Sequence, residues 1–169
     1  MNASVDFTYQ TDFVLGDEQM FANWLIKCAK QYSATSMALV YAFMDDEALL
    51  KLNLKYLKNS MLTDIITFDD TVGNDVIANI AISLTRVREN AAVHQATFDE
   101  ELLRVMSHGL LHCLGFEDKT AIQQAEMRKG EQACIQLFHV EQKKKKYVSW
   151  SLWRNCSWSV SYTHLRAHE

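Results

Sequence analysis

The sequence predicts a layered domain of α-helices and β-strands that carries a metal site on a helix and the turn after it. Three observations lead there. Four short apolar or β-branched segments have strand character, and helical patterns are interspersed with them. Two histidines, His108 and His112, stand four residues apart inside one helical pattern. A glycine, Gly115, then closes that pattern, and a carboxylate, Asp118, follows it.

The elements read in order as follows. Val5 to Tyr9 alternates as a half-buried strand, and a helix opens at Asp17 with Phe21, Trp24, Leu25 and Cys28 at helical spacing. Met37 to Phe43 is a buried strand. Asp45 and Asp46 suit the positive end of a helix whose apolar side holds Leu49, Leu50, Leu52 and Tyr56. Thr63 to Phe68 and Val76 to Ile82 are two further strands, and Arg86 to Ala96 is helical. Thr97 and Glu100 have capping-box spacing and open the helix of the two histidines. Leu102, Leu103, Val105, Met106, Leu110 and Leu111 give that helix its buried surface. Thr120 and Gln123 repeat the capping spacing before a last helix, expected to reach about Phe138. There is no internal repeat.

Residues four apart on a helix project from one face, so His108 and His112 can offer two nitrogens to one ion. Gly115 can take the left-handed conformation that ends a helix and returns the chain toward the same face. Asp118 is then the expected third ligand, with Glu117 and His94 as competitors. Three protein ligands with a fourth position left open describe a catalytic rather than a structural Zn²⁺ site. Cys113, about 100° around the helix from His112, reads as core packing.

Hydrophobic residues make up 49% of the 169, which is ordinary for a globular domain. No apolar run approaches a membrane span, the N-terminus lacks a signal-peptide pattern, and a cytoplasmic protein without a membrane partner is expected. The four cysteines are scattered, which suggests neither a disulfide framework nor a zinc ribbon. After Gln142 the character changes. Lys143 to Lys146 is a lysine run, three of the four tryptophans follow it, and the last stretch is similar to a translated sequencing adapter. Residues 143–169 are therefore expected to be a non-native, disordered tail behind a domain spanning 1–142. That tail holds 6 of the 17 basic and 1 of the 21 acidic residues, leaving the body 11 basic and 20 acidic, a net charge near −9. So acidic a body argues against tight, non-specific binding to free nucleic acid, though not against a local basic track.

The histidine and glycine spacing also matches the extended zinc motif of metzincin proteases. Those enzymes place a glutamate general base directly after the first histidine, and here that position is Gly109. A peptidase of that type would lack a contribution worth about 10²–10⁴-fold.

The segment from His108 to Asp118 resembles the His-Gly-x-Leu-His-x-x-Gly-Tyr-x-His motif of the YbeY-type endoribonucleases, also called rRNA maturation factors. Leu52-Asn53-Leu54-Lys55-Tyr56 followed by Thr63-Asp64-Ile65-Ile66-Thr67-Phe68 is similar to a second block of that family. Asp75-Val76-Ile77-Ala78 is similar to a third, with Asn74 in place of a glycine. The resemblance covers roughly residues 5–140. It implies a zincin-like α+β fold with a mixed sheet of about four strands, and one Zn²⁺ held by His108, His112 and Asp118. It further implies cleavage of single-stranded rRNA, in maturation of the small-subunit 3′ end and in ribosome quality control. Ribosomal particles or assembly factors are then the partners, and DNA is not a substrate.

Two departures stand out. The family's usual third ligand is histidine, but a carboxylate oxygen binds zinc at about the same distance. Many members also carry an arginine, implicated in activity, where this chain has Leu57. Phosphodiester cleavage builds up negative charge that a cation stabilises, and Lys58, Arg86 and Arg88 are the candidates to replace it. Lys51, Lys55 and Lys58 lie on one face of the expected helix and either track an RNA backbone or form a solvated surface. Two alternatives stand beside the nuclease: a zinc metallopeptidase with a distant base, and a non-catalytic ribosome-assembly factor with a structural metal.

Overall fold

The computed structural model describes the backbone of residues 1–155 and the side chains of residues 1–146. The elements follow the order β1 (Asn2–Tyr9), α1 (Glu18–Gln31), β2 (Ser36–Met44), α2 (Asp46–Leu52), β3 (Ile65–Asp69), β4 (Asp75–Ser83), α3 (Leu84–Val93), α4 (Phe98–Cys113) and α5 (Ala121–Asn155). A single π-helical turn, Asn53–Leu57, continues α2. The four strands form one mixed sheet in the order β1-β2-β4-β3. β1, β2 and β4 run parallel, and β3 closes one edge antiparallel to β4. The architecture is thus α+β with a four-stranded mixed sheet, as expected.

Successive side chains on a strand point to opposite faces, and the two faces here have different partners. Leu39, Tyr41 and Phe43 of β2 and Ala78, Ile80 and Ile82 of β4 join α1, α4 and α5 in the main core. Met44, Ile66 and Ala81 meet Leu49 of α2 in a small second core on the other face. Tyr41 lies opposite Phe7 and Ile80 in the middle of the sheet. Its buried hydroxyl donates to Met106 O at 2.8 Å, which ties the sheet to α4. Trp24 Nε1 donates to Cys134 O at 2.7 Å and ties α1 to α5 in the same way. No buried side-chain polar atom among the described residues lacks a partner, as a well-packed interior requires.

Helix ends follow the sequence closely. Asp17 and Asp45 accept hydrogen bonds from Met20 N and Ala48 N, and Thr97 with Glu100 forms a complete capping box. Thr120 Oγ1 accepts from Gln123 N while Gln123 Oε1 accepts from Thr120 N, a second reciprocal cap.

Two expectations change. The last helix does not end near Phe138 but continues to Asn155. Neither glycine nor proline interrupts residues 131–155, and Glu141 pairs with Lys27 of α1 and with Lys144 one turn further on. Lys145 also pairs with Asp17. The first part of the expected tail is therefore helix, and residues 156–169 lie outside the described residues. The second change concerns α2. Its α-helical phase stops at Leu52, because the π turn spaces residues differently. Asn53 is buried there, and Tyr56 is turned outward against Phe68, ring centres 5.5 Å apart. Lys58 follows in a left-handed conformation, φ +50°, so it does not continue the row begun by Lys51 and Lys55.

Gly109 decides how closely α4 approaches the sheet. A Cβ built there would lie 2.8 Å from Ile65 Cδ1 and 3.1 Å from Ile80 Cγ2. Position 109 thus faces the interior of the sheet, away from solvent. Gly109→Val is expected to lower folding stability by about 2 kcal/mol through overpacking. A reduced urea midpoint at unchanged slope checks it; an unchanged midpoint would show that the ends of Ile65 and Ile80 give way freely.

Candidate metal centre

Helix α4 buries one side and presents a polar row on another. Glu101, Arg104, His108 and His112 stand three or four residues apart, so they share a face. The helix ends in a Schellman motif. Phe116 N donates to Leu111 O at 3.0 Å and Gly115 N to His112 O at 3.0 Å. Gly115 has φ +94°, a conformation that strongly favours glycine. The turn sends the chain back along the histidine face, as its position in the sequence predicts.

Three ligand atoms converge as a result. His108 Nε2 and His112 Nε2 are 2.9 Å apart, and Asp118 Oδ2 is 3.5 Å from each. Ligands about 2.0–2.1 Å from a tetrahedral metal are separated by about 3.3 Å, which this triangle brackets. The other ring nitrogens set the chemistry. His108 Nδ1 donates to Glu131 Oε1 at 2.8 Å, and His112 Nδ1 donates to Phe116 O at 2.9 Å. Both Nε2 atoms therefore carry lone pairs in the neutral rings. Two lone pairs and a carboxylate oxygen facing one point have no hydrogen to share, and a cation is what satisfies them. His108, His112 and Asp118 could thus hold a metal ion.

The competing ligands do not join the three converging atoms, although His94 lines the same cleft. Glu117 accepts from Gln123 Nε2 at 2.8 Å, and His94 is 3.2 Å from Glu101 Oε2. Cys113 donates to Gly109 O at 3.3 Å, and burial pushes its thiol up to about 12, so it packs as a neutral core residue. The three basic candidates are not in the lining of the cleft beside His108. Arg86 is held by Asp46 at 3.0 Å and Glu89 at 3.1 Å, Arg88 covers the Phe98 ring, and Lys58 sits on the exposed turn after residue 57.

The cleft itself, about 510 Å³, is lined by Arg104, His108, Asp118, Arg128 and Glu131 among others. Glu131 and Arg104 were not singled out from the sequence. Glu131 reaches His108 from α5, where Gly130 permits a close approach: a Cβ at that position would be 2.9 Å from Leu111 Cδ1. Arg104 donates through Nε and Nη2 to the buried Glu101 at 3.0 and 2.6 Å. The polar row on an otherwise buried helix is the sequence signal that could have found Arg104. Nothing local marks Glu131.

Among known proteins, the chain matches the family described as endoribonuclease YbeY over residues 8–139. The chain belongs to that family. Endoribonuclease YbeY of Christiangramia forsetii is 46% identical over 138 residues, covering 82% of this chain and 96% of that protein. The protein of the same name from Flavobacterium johnsoniae is 43% identical over 138 residues, with 82% and 99% covered. The solution structure of TM1509 from Thermotoga maritima superimposes with a TM-score of 0.60 at 23% identity, covering 84% of this chain and 93% of that one, a likeness of fold. The enzyme class that goes with YbeY membership is the hydrolytic nuclease. No helix among the described residues is long and apolar enough to cross a membrane.

Two measurements test this YbeY-family site. Glu131→Gln is expected to weaken binding of a divalent metal ion, probed with Zn²⁺ in competition with a chelating dye, about 10–100-fold; equal affinity would mean that Glu131 does not support His108. Glu101 gives a pH effect. Burial pushes its carboxyl up, but hydrogen bonds from Arg104 and His94 and their charges hold it below the ordinary carboxylate range. Its contribution to stability is therefore complete above the unfolded-state pKa, about 4.3, and is lost as pH falls through the lower folded value. Glu101→Gln is expected to flatten the acid limb of a stability–pH curve below about pH 5, and an unchanged limb would contradict this.

Proposed function

We propose that this chain is a zinc-dependent, single-strand-specific endoribonuclease acting in rRNA maturation, at the small-subunit 3′ end, and in ribosome quality control. The observation that carries the reading is the convergence of His108 Nε2, His112 Nε2 and Asp118 Oδ2 at the edge of an arginine-containing cleft. Two nitrogens and one oxygen suit Zn²⁺ and leave a fourth position for solvent or substrate. When bound, Zn²⁺ supplies a Lewis acid and acidifies a water molecule.

The chain's own residues do the rest. His108 and His112 bind through Nε2, while Glu131 and the Phe116 carbonyl hold the rings in the required tautomer and orientation. Asp118 offsets one unit of the ion's charge. If the ribose 2′-hydroxyl is the nucleophile, the products carry a cyclic phosphate and DNA is spared. The fold is read as zincin-like, the compartment as cytoplasm, and ribosomal particles or assembly factors as partners.

Gly109 weighs against the peptidase alternative. Its α-carbon faces Ile65 and Ile80, so a glutamate at that position would meet the sheet and not the cleft. The outward-facing Leu57 favours a second reading, in which the protein assembles ribosomes without cleaving RNA and its metal is structural.

The purified chain is incubated with single-stranded rRNA fragments and with casein, with and without chelator. Chelator-sensitive RNA cleavage that disappears in His112→Ala is expected, with casein intact. Digested casein beside intact RNA would establish the peptidase. No cleavage of either, with one metal per chain and co-sedimentation with ribosomal particles, would establish the assembly factor.

A further inference from the structure

Position 57 leaves the nuclease reading without its expected cation, and none of the three sequence candidates lines the cleft. Arg104 does, beside His108 and Asp118. It lies one helical turn before His108, as His108 does before His112, so all three project from the same face of α4. Its anchoring uses one edge of the guanidinium. Nε and Nη2 both donate to Glu101 Oε1. Nη1 is 3.6 Å from Glu131 Oε1, Nη2 is 3.8 Å from Asp64 Oδ2, and Nη1 makes no hydrogen bond among the described residues. An acceptor arriving at Nη1 therefore displaces no existing hydrogen bond of the arginine.

We propose that Arg104 receives the RNA phosphate next to the candidate metal ligands. This rests on the endoribonuclease reading. A planar guanidinium whose Nε edge is fixed and whose Nη1, though 3.6 Å from Glu131, makes no hydrogen bond among the described residues presents donors in the geometry a phosphate accepts. Glu101 is 2% exposed and holds the fork rigidly, so little ordering is needed when substrate binds. Arg128 also lines the cleft, on the exposed side of α5, but no partner among the described residues fixes its orientation.

Inorganic phosphate is the probe, titrated by calorimetry into the full chain loaded with one equivalent of Zn²⁺. The variants are Arg104→Lys and the pair Glu101→Gln/Arg104→Met; the pair is used because Met alone would leave the buried Glu101 carboxylate without its arginine, held by His94 on one oxygen. The wild type is expected to bind one phosphate per chain. The pair should bind it about ten- to hundredfold more weakly while still holding one zinc, and Arg104→Lys should fall between them. Equal phosphate affinity in wild type and pair overturns the inference, as does a wild type that binds none. A pair that no longer holds zinc also overturns it, since Arg104 would then act through Glu131 and His108. Phosphate bound through Arg104 by a chain that leaves single-stranded RNA intact would sink the nuclease reading and leave this assignment standing.

Discussion

A carboxylate buried between two helices is tolerated only where its hydrogen bonds and its charge are met, and Glu131 is such a group. It is 5% exposed, on the packed side of α5. Its Oε1 meets His108 Nδ1 and faces Arg104, both from α4. Placing α5 elsewhere would strand that charge and release the imidazole together. Packing of α5 on α4 and the orientation of the first metal ligand are thus one constraint. Gly130 makes it possible by letting the two helices approach at the residue before Glu131.

The second ligand is held by different means with the same result. His112 lies in the last turn of α4, where carbonyls lack helical partners. The Schellman return satisfies two of them and brings the Phe116 carbonyl under His112 Nδ1. The same return delivers Asp118 to the open side of both rings. One turn therefore caps the helix, fixes a tautomer and supplies the third ligand. Both histidines are thus oriented by elements the core already requires, α5 and the end of α4.

Much of this was legible in the residues. Strand and helix periods, the capping boxes at Thr97 and Thr120, the histidine pair, Gly115 and Asp118 are local patterns whose meaning lies within a few positions of the chain. The two differences from the structure have separate causes. Tyr56 and Lys58 were expected on the faces of an α-helix, but a π turn at Asn53–Leu57 changes the phase, and periodicity assumes a constant one. The last helix was expected to stop at a change in composition, whereas a helix stops where backbone groups find other partners, and after Gly130 no glycine or proline occurs before Asn155.

The sequence by itself determined the layered α and β class and the three candidate ligand residues, because helical spacing and a terminating glycine act over one or two turns. Only the tertiary structure decided which groups support those ligands and where the cation of the cleft comes from. Glu131 lies 23 residues from His108, and Asp64 lies 40 from Arg104. Such contacts follow from how α5 and the β3 edge pack on α4, and no local pattern encodes that packing. The candidate metal ligands are a property of one helix and its turn; their chemistry is a property of what surrounds them.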